Sequence, residues 1–284
     1  MRGVFWRRAL DWGVRYIPWW LHPPLSDIIA SIFYVCASGS RRAIHRNLAL
    51  VLPASSPLLN RIRAWMVFRN YARSLIDSAL YRIHGVRFDF VLTGEEHLRA
   101  LAAAPGAIIL TAHMGNYDLG AALFATKYAR EFHMVRAPEP DAESERHMQQ
   151  ALTQKGEVKI DYNTAMISFD LLRALRAGEI VSIQGDRVIP GVAVRATSLF
   201  GQPVELPEGP FSLGYVADVP IYFLFITRLG RRRYGVTTFA PLRLRAEGRN
   251  REQALQLAMD EWARTLGDFT RAHWSQWFAF SALR

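Results

Sequence analysis

Residues Ala107 to Gly120 constrain the fold more than any other stretch of the chain. Ile108 to Leu110 form an apolar run of the kind that fills a buried strand. The run ends at His113, the turn residues Gly115 and Asn116 follow at once, and Asp118 opens an amphipathic segment with Leu119, Ala122 and Leu123. Strand, exposed turn and helix start is the place where α/β proteins carry reacting groups. Here the turn holds a base and a carboxylate able to orient it, which points to an enzyme before a binding module.

The same alternation continues from Phe88 onward. Strands are predicted at Ile108–Thr111, Phe132–Val135, Val158–Asp161, Ile180–Ile183, Ile221–Ile226 and Tyr234–Phe239. Helices are predicted at Leu119–Tyr128, Glu143–Lys155, from an Asn163 or Thr164 cap through Met166, Ile167, Leu171, Leu172 and Leu175 to Gly178, and from Arg251 to about Trp274. Strands separated by helices imply an α/β fold with a mostly parallel central sheet flanked by helices. Before Phe88 the chain reads as helical: Arg41 to Leu50 is basic and amphipathic, and Pro57 to His84 has the spacing to bury Leu59, Ile62, Trp65, Met66, Tyr71, Leu75 and Leu80. We therefore expect a helical region over residues 1–90 and an α/β core over 91–284, packed as one unit. No repeat or low-complexity segment interrupts them.

Charge is distributed unevenly. The formal net charge is +10, and half of the 284 residues are hydrophobic, which excludes disorder. Residues 1–90 contain thirteen Arg, no Lys and four acids, so nearly all of the excess lies there. A basic third of this kind seeks an anionic partner. Trp6, Trp12, Trp19 and Trp20 stand among Arg7, Arg8 and Arg15, with Leu10, Val14 and Ile17 at helical spacing from Trp6. Large amphipathic aromatics beside Arg suit a helix lying in lipid headgroups, whereas nucleic-acid recognition has no motif here. The bland alternative is a helix packed on its own domain. The apolar stretch Ile28 to Ala37 falls short of the ~20 residues that span a bilayer and lies too far along for an ordinary signal peptide. Monotopic attachment is the expectation. The lone Cys36 forbids an internal disulfide and removes thiolate metal clusters.

Several catalytic signatures are missing: no Gly-x-Ser-x-Gly elbow, no phosphate loop ending in Lys-Ser/Thr, no His-Glu-x-x-His. Acid–base chemistry by His and carboxylates remains. A neutral His113 can take a proton from a hydroxyl near neutral pH, and a carboxylate on its other ring nitrogen fixes the tautomer. Asp118 is the expected carboxylate. With no Ser or Cys in the turn, direct attack of an activated substrate hydroxyl on an acyl group is the natural reaction. A structural His with an ordinary helix-start acid is the competing reading.

His113-Met-Gly-Asn-Tyr-Asp-Leu119 resembles the His-x4-Asp/Glu block of the lysophospholipid acyltransferase superfamily, in the branch of lipid A late acyltransferases and phosphatidylinositol mannoside acyltransferases. Further blocks follow in that branch's order. Val135-Arg136-Ala-Pro138 is similar to its strand-end Arg, and Leu171 to Ile180 to its helix-to-strand passage. Gly185-Asp186-Arg187 resembles its Asp-Arg/Gln turn. Leu199 to Pro210 is similar to its Phe-Gly…Pro-x-Gly-Pro block, and Trp277-Phe-Ala-Phe280 to its C-terminal Trp-Phe.

The resemblance implies a glycerol-phosphate acyltransferase-like fold. It also implies a membrane-associated acyltransferase of lipid biosynthesis, moving a fatty acyl group from acyl carrier protein or coenzyme A to a hydroxyl or amine of a lipid or glycolipid. On that reading His113 is the general base and Asp118 orients it. Arg136 and Arg187 bind phosphate or the developing oxyanion, Asp186 fixes the Arg187 fork, and Glu208 with Gly209 forms a turn for the acceptor phosphate. No cofactor, metal or acyl-enzyme is implied. The implied partners are membrane lipids and acyl carrier protein, and the implied location is the cytoplasmic face of the bacterial inner membrane, held peripherally. The chain departs from the lipid A pattern in having Asp rather than Glu at position 118. A thioesterase, in which water replaces the acceptor, and a non-catalytic lipid-binding or assembly protein are the alternatives.

Overall fold

The computed structural model describes residues 4–130, 132–136, 142–143, 145–146, 158–162, 167–245 and 250–283. Four helices come first: α1 (Val4–Tyr16), α2 (His22–Cys36), α3 (Ser38–Val51) and α4 (Pro57–His84). Strand β1 (Asp89–Thr93) and α5 (Glu95–Ala103) lead to the central unit of β2 (Ala107–Thr111), α6 (Tyr117–Tyr128) and β3 (Phe132–Arg136). Then come β4 (Val158–Tyr162), α7 (Ile167–Arg176), β5 (Ile180–Gln184), a hairpin of β6 (Val194–Leu199) and β7 (Gln202–Pro207), α8 (Gly209–Ala217), β8 (Ile221–Gly230), β9 (Arg233–Thr238) and α9 (Arg251–Ala272).

Local chemistry explains the boundaries. Ser56 caps α4 through Leu59 N–H with Pro57 at the first helical position, and Gly85 closes it in the left-handed conformation. Asn250 and Gln253 form a capping box at the start of α9. Strand β2 is buried at all five positions, as a central parallel strand covered on both faces must be. Edge strand β1 alternates between exposed and half-buried residues.

The seven-stranded sheet has the order β1-β9-β8-β2-β5-β3-β4. Every pairing is parallel except β8 with β9, so the expected mostly parallel sheet is present, with its β1–β9 edge reversed. Alternate residues of β2 feed opposite cores. Ile108 and Leu110 pack with Phe223, Phe225, Leu171, Leu175, Phe211, Met259 and Trp262 on the face covered by α7, α8 and α9. Ile109 joins Leu98, Leu101, Leu119, Phe124, Tyr222 and Leu224 on the face covered by α5 and α6. A third core unites the N-terminal helices with the C-terminal tail: Ala30, Ile44, Leu48, Val67 and Phe68 enclose Phe278.

Some expectations change. Leu59 and Ile62 of α4 are exposed, and the buried stripe is Ala64, Val67, Phe68, Ser74, Asp77 and Ala79. On α4, Ala64 and Val67 pack in the core shared with α2 and α3, and Phe68 and Tyr71 meet the tail aromatics Phe278 and Phe280. Ile167, Leu171 and Leu175 of α7 face inward as expected and Leu172 is half-buried. The Asn163 or Thr164 cap, Met166 and most of the predicted Glu143–Lys155 helix lie outside the described residues. The β6–β7 hairpin falls within a stretch read only as a motif. Among the described residues no helix is long and apolar enough to cross a membrane.

Candidate active site

The site forms at the carboxyl edge of the sheet, where β2, β5 and β3 lie side by side. Thr111 of β2 is in register with Gln184 of β5. Two residues beyond each lie His113 and Asp186. Gly185 N–H donates to Thr111 O over 2.9 Å, holding the two strand exits together. His113 is therefore delivered to Asp186 by strand pairing.

The turn after His113 requires its glycine. Gly115 has φ +59, and a Cβ there would stand 1.8 Å from Ile226 O. Asn116 then caps α6, its Oδ1 accepting from Leu119 N–H at 3.3 Å and from Ser78 Oγ at 2.8 Å, while its Nδ2 donates to Ser74 O. Behind this cap Tyr234 Oη and Arg228 Nε both donate to Asp77 Oδ2 at 2.7 Å. The C-terminal segment closes the other side. Gly115 N–H donates to Gln276 O and Phe278 N–H to His113 O.

Asp186 is almost fully enclosed and accepts three hydrogen bonds. His113 Nδ1 lies 2.7 Å from Oδ1, and Oδ2 receives the His113 backbone N–H at 3.0 Å and Trp277 Nε1 at 2.9 Å. Burial alone raises the pKa of this carboxyl, but its interaction with His113 and these three donors outweigh it and hold the group below the usual carboxylate range. Arg187 Nη2 stands 3.0 Å from His113 Nε2. A guanidinium can only donate, so Nε2 is the unprotonated nitrogen and Nδ1 carries the proton given to Asp186. The imidazole is thus the tautomer a general base needs, with its lone pair on the Arg187 guanidinium.

Asp118 does not make the expected contact. Its Oδ1 accepts from Arg136 Nη1 at 2.6 Å, and Asp186 takes the place on His113 that Asp118 was expected to fill. The reason is topological. The first turn of α6 leans over the sheet toward the end of β3, which carries Arg136, while β5 runs beside β2. The expected Asp186–Arg187 pairing is likewise replaced, since both residues attend to the imidazole from opposite sides. Tyr117 lies between the pairs, its ring edge-on to His113 and under Arg136. Burial, reinforced by the Asp118 charge, pushes its hydroxyl pKa well up, so it stays protonated.

Glu208 and Gly209 stand elsewhere. Glu208 accepts from Arg195 Nη2 at 2.7 Å and Ser212 Oγ at 2.7 Å, tying the β6–β7 hairpin to α8, and Gly209 begins that helix. Among the described residues neither touches the His113 group. The roles of Trp277, Gln276 and Asn116 in fixing the loop were not read from the sequence, although all three lie in or beside its motifs.

Under α6, an apolar cavity opens beside Tyr117 and runs along the sheet past Thr111, Gly120, Ala121, Phe124 and Met134. Among the described residues no group of three His, Cys, Asp or Glu is arranged to hold a metal ion.

The site thus joins a histidine–carboxylate pair at the carboxyl edge of an α/β sheet to an apolar cavity that shares Tyr117 with it. The chain belongs to the bacterial lipid A biosynthesis acyltransferase family, whose profile matches residues 3–283. It is also similar to the phosphatidylinositol mannoside acyltransferases of two Mycobacterium tuberculosis strains. Each is 25% identical over 216 residues, covering 73% of this chain and 67% of theirs. The protein is an acyltransferase of lipid biosynthesis acting on a lipid acceptor.

Proposed function

We propose that the protein moves a fatty acyl group from the thioester of acyl carrier protein or coenzyme A to a hydroxyl or amine of a lipid or glycolipid. The observation that carries this reading is the His113 ring, with Nδ1 bound to buried Asp186, Nε2 facing Arg187, and its edge against Tyr117, which lines the apolar cavity. The acceptor hydroxyl replaces Arg187 on Nε2 and gives His113 its proton as its oxygen attacks the thioester carbon. The tetrahedral intermediate collapses by breaking the carbon–sulfur bond, and the leaving thiolate recovers the proton from the imidazolium. Asp186 steadies the imidazolium throughout.

Arg187, displaced from Nε2, is placed to donate to the oxyanion, and Arg136, braced by Asp118, to a substrate phosphate. The acyl chain occupies the cavity under α6. No serine or cysteine is required, and no cofactor enters these steps. A phosphate subsite at Glu208 and Gly209 gains no support from their positions.

We further propose that the enzyme works at the cytoplasmic face of the inner membrane, attached peripherally by residues 1–90. Trp12, Trp19 and Trp20 are each more than half exposed, and Phe5 and Tyr16 accompany them on the outer side of α1. Indole rings left at the surface beside Arg favour the lipid headgroup zone.

The test is acyl transfer by purified protein. His113→Ala should fold and lose transfer from thioester to lipid, and near-native turnover in that variant would reject the assignment. Mass spectrometry of total lipids with and without the gene would identify the acceptor by its missing acyl chain. Thioester consumption with no acylated product would favour hydrolysis instead.

A further inference from the structure

We propose that a notch between α3 and the start of α4, apart from the catalytic group, binds the phosphate of an anionic membrane lipid. Arg41, Arg42, His45 and Arg46 of α3 face Asn60 and Arg61 of α4 across it. The sequence has no acid between Asp27 and Asp77, so no neighbouring carboxylate in the chain offsets this charge. Farther along α4, Arg69 and Arg73 pair with Asp27 and Arg82 with Asp11. Among the described residues Arg42, Arg46 and Arg61 have no ion-pair partner.

Folding alone does not favour this arrangement. Arg42 and Arg46 are four residues apart on one helix, a like-charge spacing that destabilises it. Arg41 is held rigidly, its Nη1 donating to Tyr34 O and Val35 O at 2.6 Å. Tyr34 Oη in turn contacts His45 Nε2 at 3.1 Å. Asn60 Nδ2 donates to His45 O, which fixes the amide orientation, yet its enclosed Oδ1 has no hydrogen-bond partner. The amino end of α4, with no acid in its first turn, adds its partial positive charge.

The surroundings select a lipid over a soluble anion. Leu58 and Ile62 flank Arg61 and are exposed, and so is Val35, whose carbonyl Arg41 binds. Ile28, Ile29 and Ile32 continue this uncovered aliphatic row along α2. Aliphatic side chains level with a set of unpaired guanidinium groups match the boundary between acyl chains and phosphates.

The experiment compares the full chain with an Arg42→Gln/Arg46→Gln/Arg61→Gln variant by sedimentation with phosphatidylcholine vesicles, with and without phosphatidylglycerol. Each basic residue at an anionic surface contributes about fivefold, so the variant should bind phosphatidylglycerol vesicles roughly a hundredfold more weakly. Its unfolding temperature should be no lower and its transfer to detergent-dispersed acceptor unchanged, which separates this result from failure of the catalytic reading. Unaltered binding of the variant to anionic vesicles would overturn the proposal. So would saturation of the native notch by inorganic phosphate, followed through the His45 ring resonances, with vesicle binding unaffected. Loss of acyl carrier protein binding with intact vesicle binding would reassign the notch to an acidic protein.

Discussion

Trp277 donates its indole N–H to Asp186 Oδ2, the same oxygen that accepts the His113 backbone N–H. The C-terminal tail thereby takes part in holding the proposed base. Removing the indole donor while keeping an aromatic ring, as in Trp277→Phe, takes away one of the interactions that lower the Asp186 pKa. The carboxyl pKa should rise, which a pH titration of the Asp186 carboxyl resonance would record. A titration superimposable on the native one would show that the tail only packs.

Asp186 also makes a prediction about stability. Its folded pKa lies below the unfolded value of ~3.9, so it contributes stability that is fully present above that value. The contribution is lost as pH falls through the folded pKa. Asp186→Asn should therefore flatten the acid side of the stability curve below about pH 4, measured by urea unfolding at a series of pH values.

The two carboxylates should separate kinetically. Asp186→Asn leaves the imidazole without its orienting anion and should lower kcat by roughly 10³-fold, by analogy with carboxylates that fix a general-base tautomer. Asp118→Asn loosens Arg136 and should raise KM for the phosphate-bearing substrate with a smaller change in kcat. Equal losses in kcat with unchanged KM would contradict this division of roles.

The contrast shows what the sequence could and could not reveal. Apolar periodicity located β2, α6, β5 and β8, because buried strands in a covered sheet are apolar at nearly every position. His113 and Asp118 stood out from the strand–turn–helix pattern, and Arg136, Asp186 and Arg187 from the family resemblance. Neither gave their pairing. His-x4-Asp puts two residues close along the chain, whereas Asp186 reaches His113 only because β5 lies next to β2, a fact of strand order. The β6–β7 hairpin escaped for a different reason: Val194 to Ser198 is exposed or half-buried throughout, and the inward alternation is confined to Val204 and Leu206 of β7. In α4 the buried positions are largely alanine, serine and valine, so larger side chains misdirected the choice of face.

Gly115 is a test of the turn itself. Replacing it with Ala strains the backbone at φ +59 and drives the Cβ into Ile226 O. Carbonyl and turn must part, at a cost of about 1–3 kcal/mol or more. Gly115→Ala should lower the urea midpoint and abolish transfer, while Gly39→Ala, at a glycine with nothing within 4 Å, should leave activity intact.

The cavity under α6 makes the last prediction. Ala121 is buried against it, and the facing wall is built from Ile109, Leu224 and Ile226 of the sheet. Gly120, one residue earlier, lets α6 sit so close that a Cβ would meet Ile226 Cδ1 at 1.7 Å, so the helix lies tight on this wall. A larger side chain at 121 must take space from the cavity. If the acyl chain lies there, Ala121→Phe should cut kcat/KM for long acyl thioesters more than for short ones and shift the preferred chain length downward. Each methylene that no longer fits forfeits about 0.8 kcal/mol of burial, close to fourfold in kcat/KM. The comparison of native and variant enzyme across a series of acyl donors measures this directly, and a uniform loss at every chain length would place the acyl chain somewhere else.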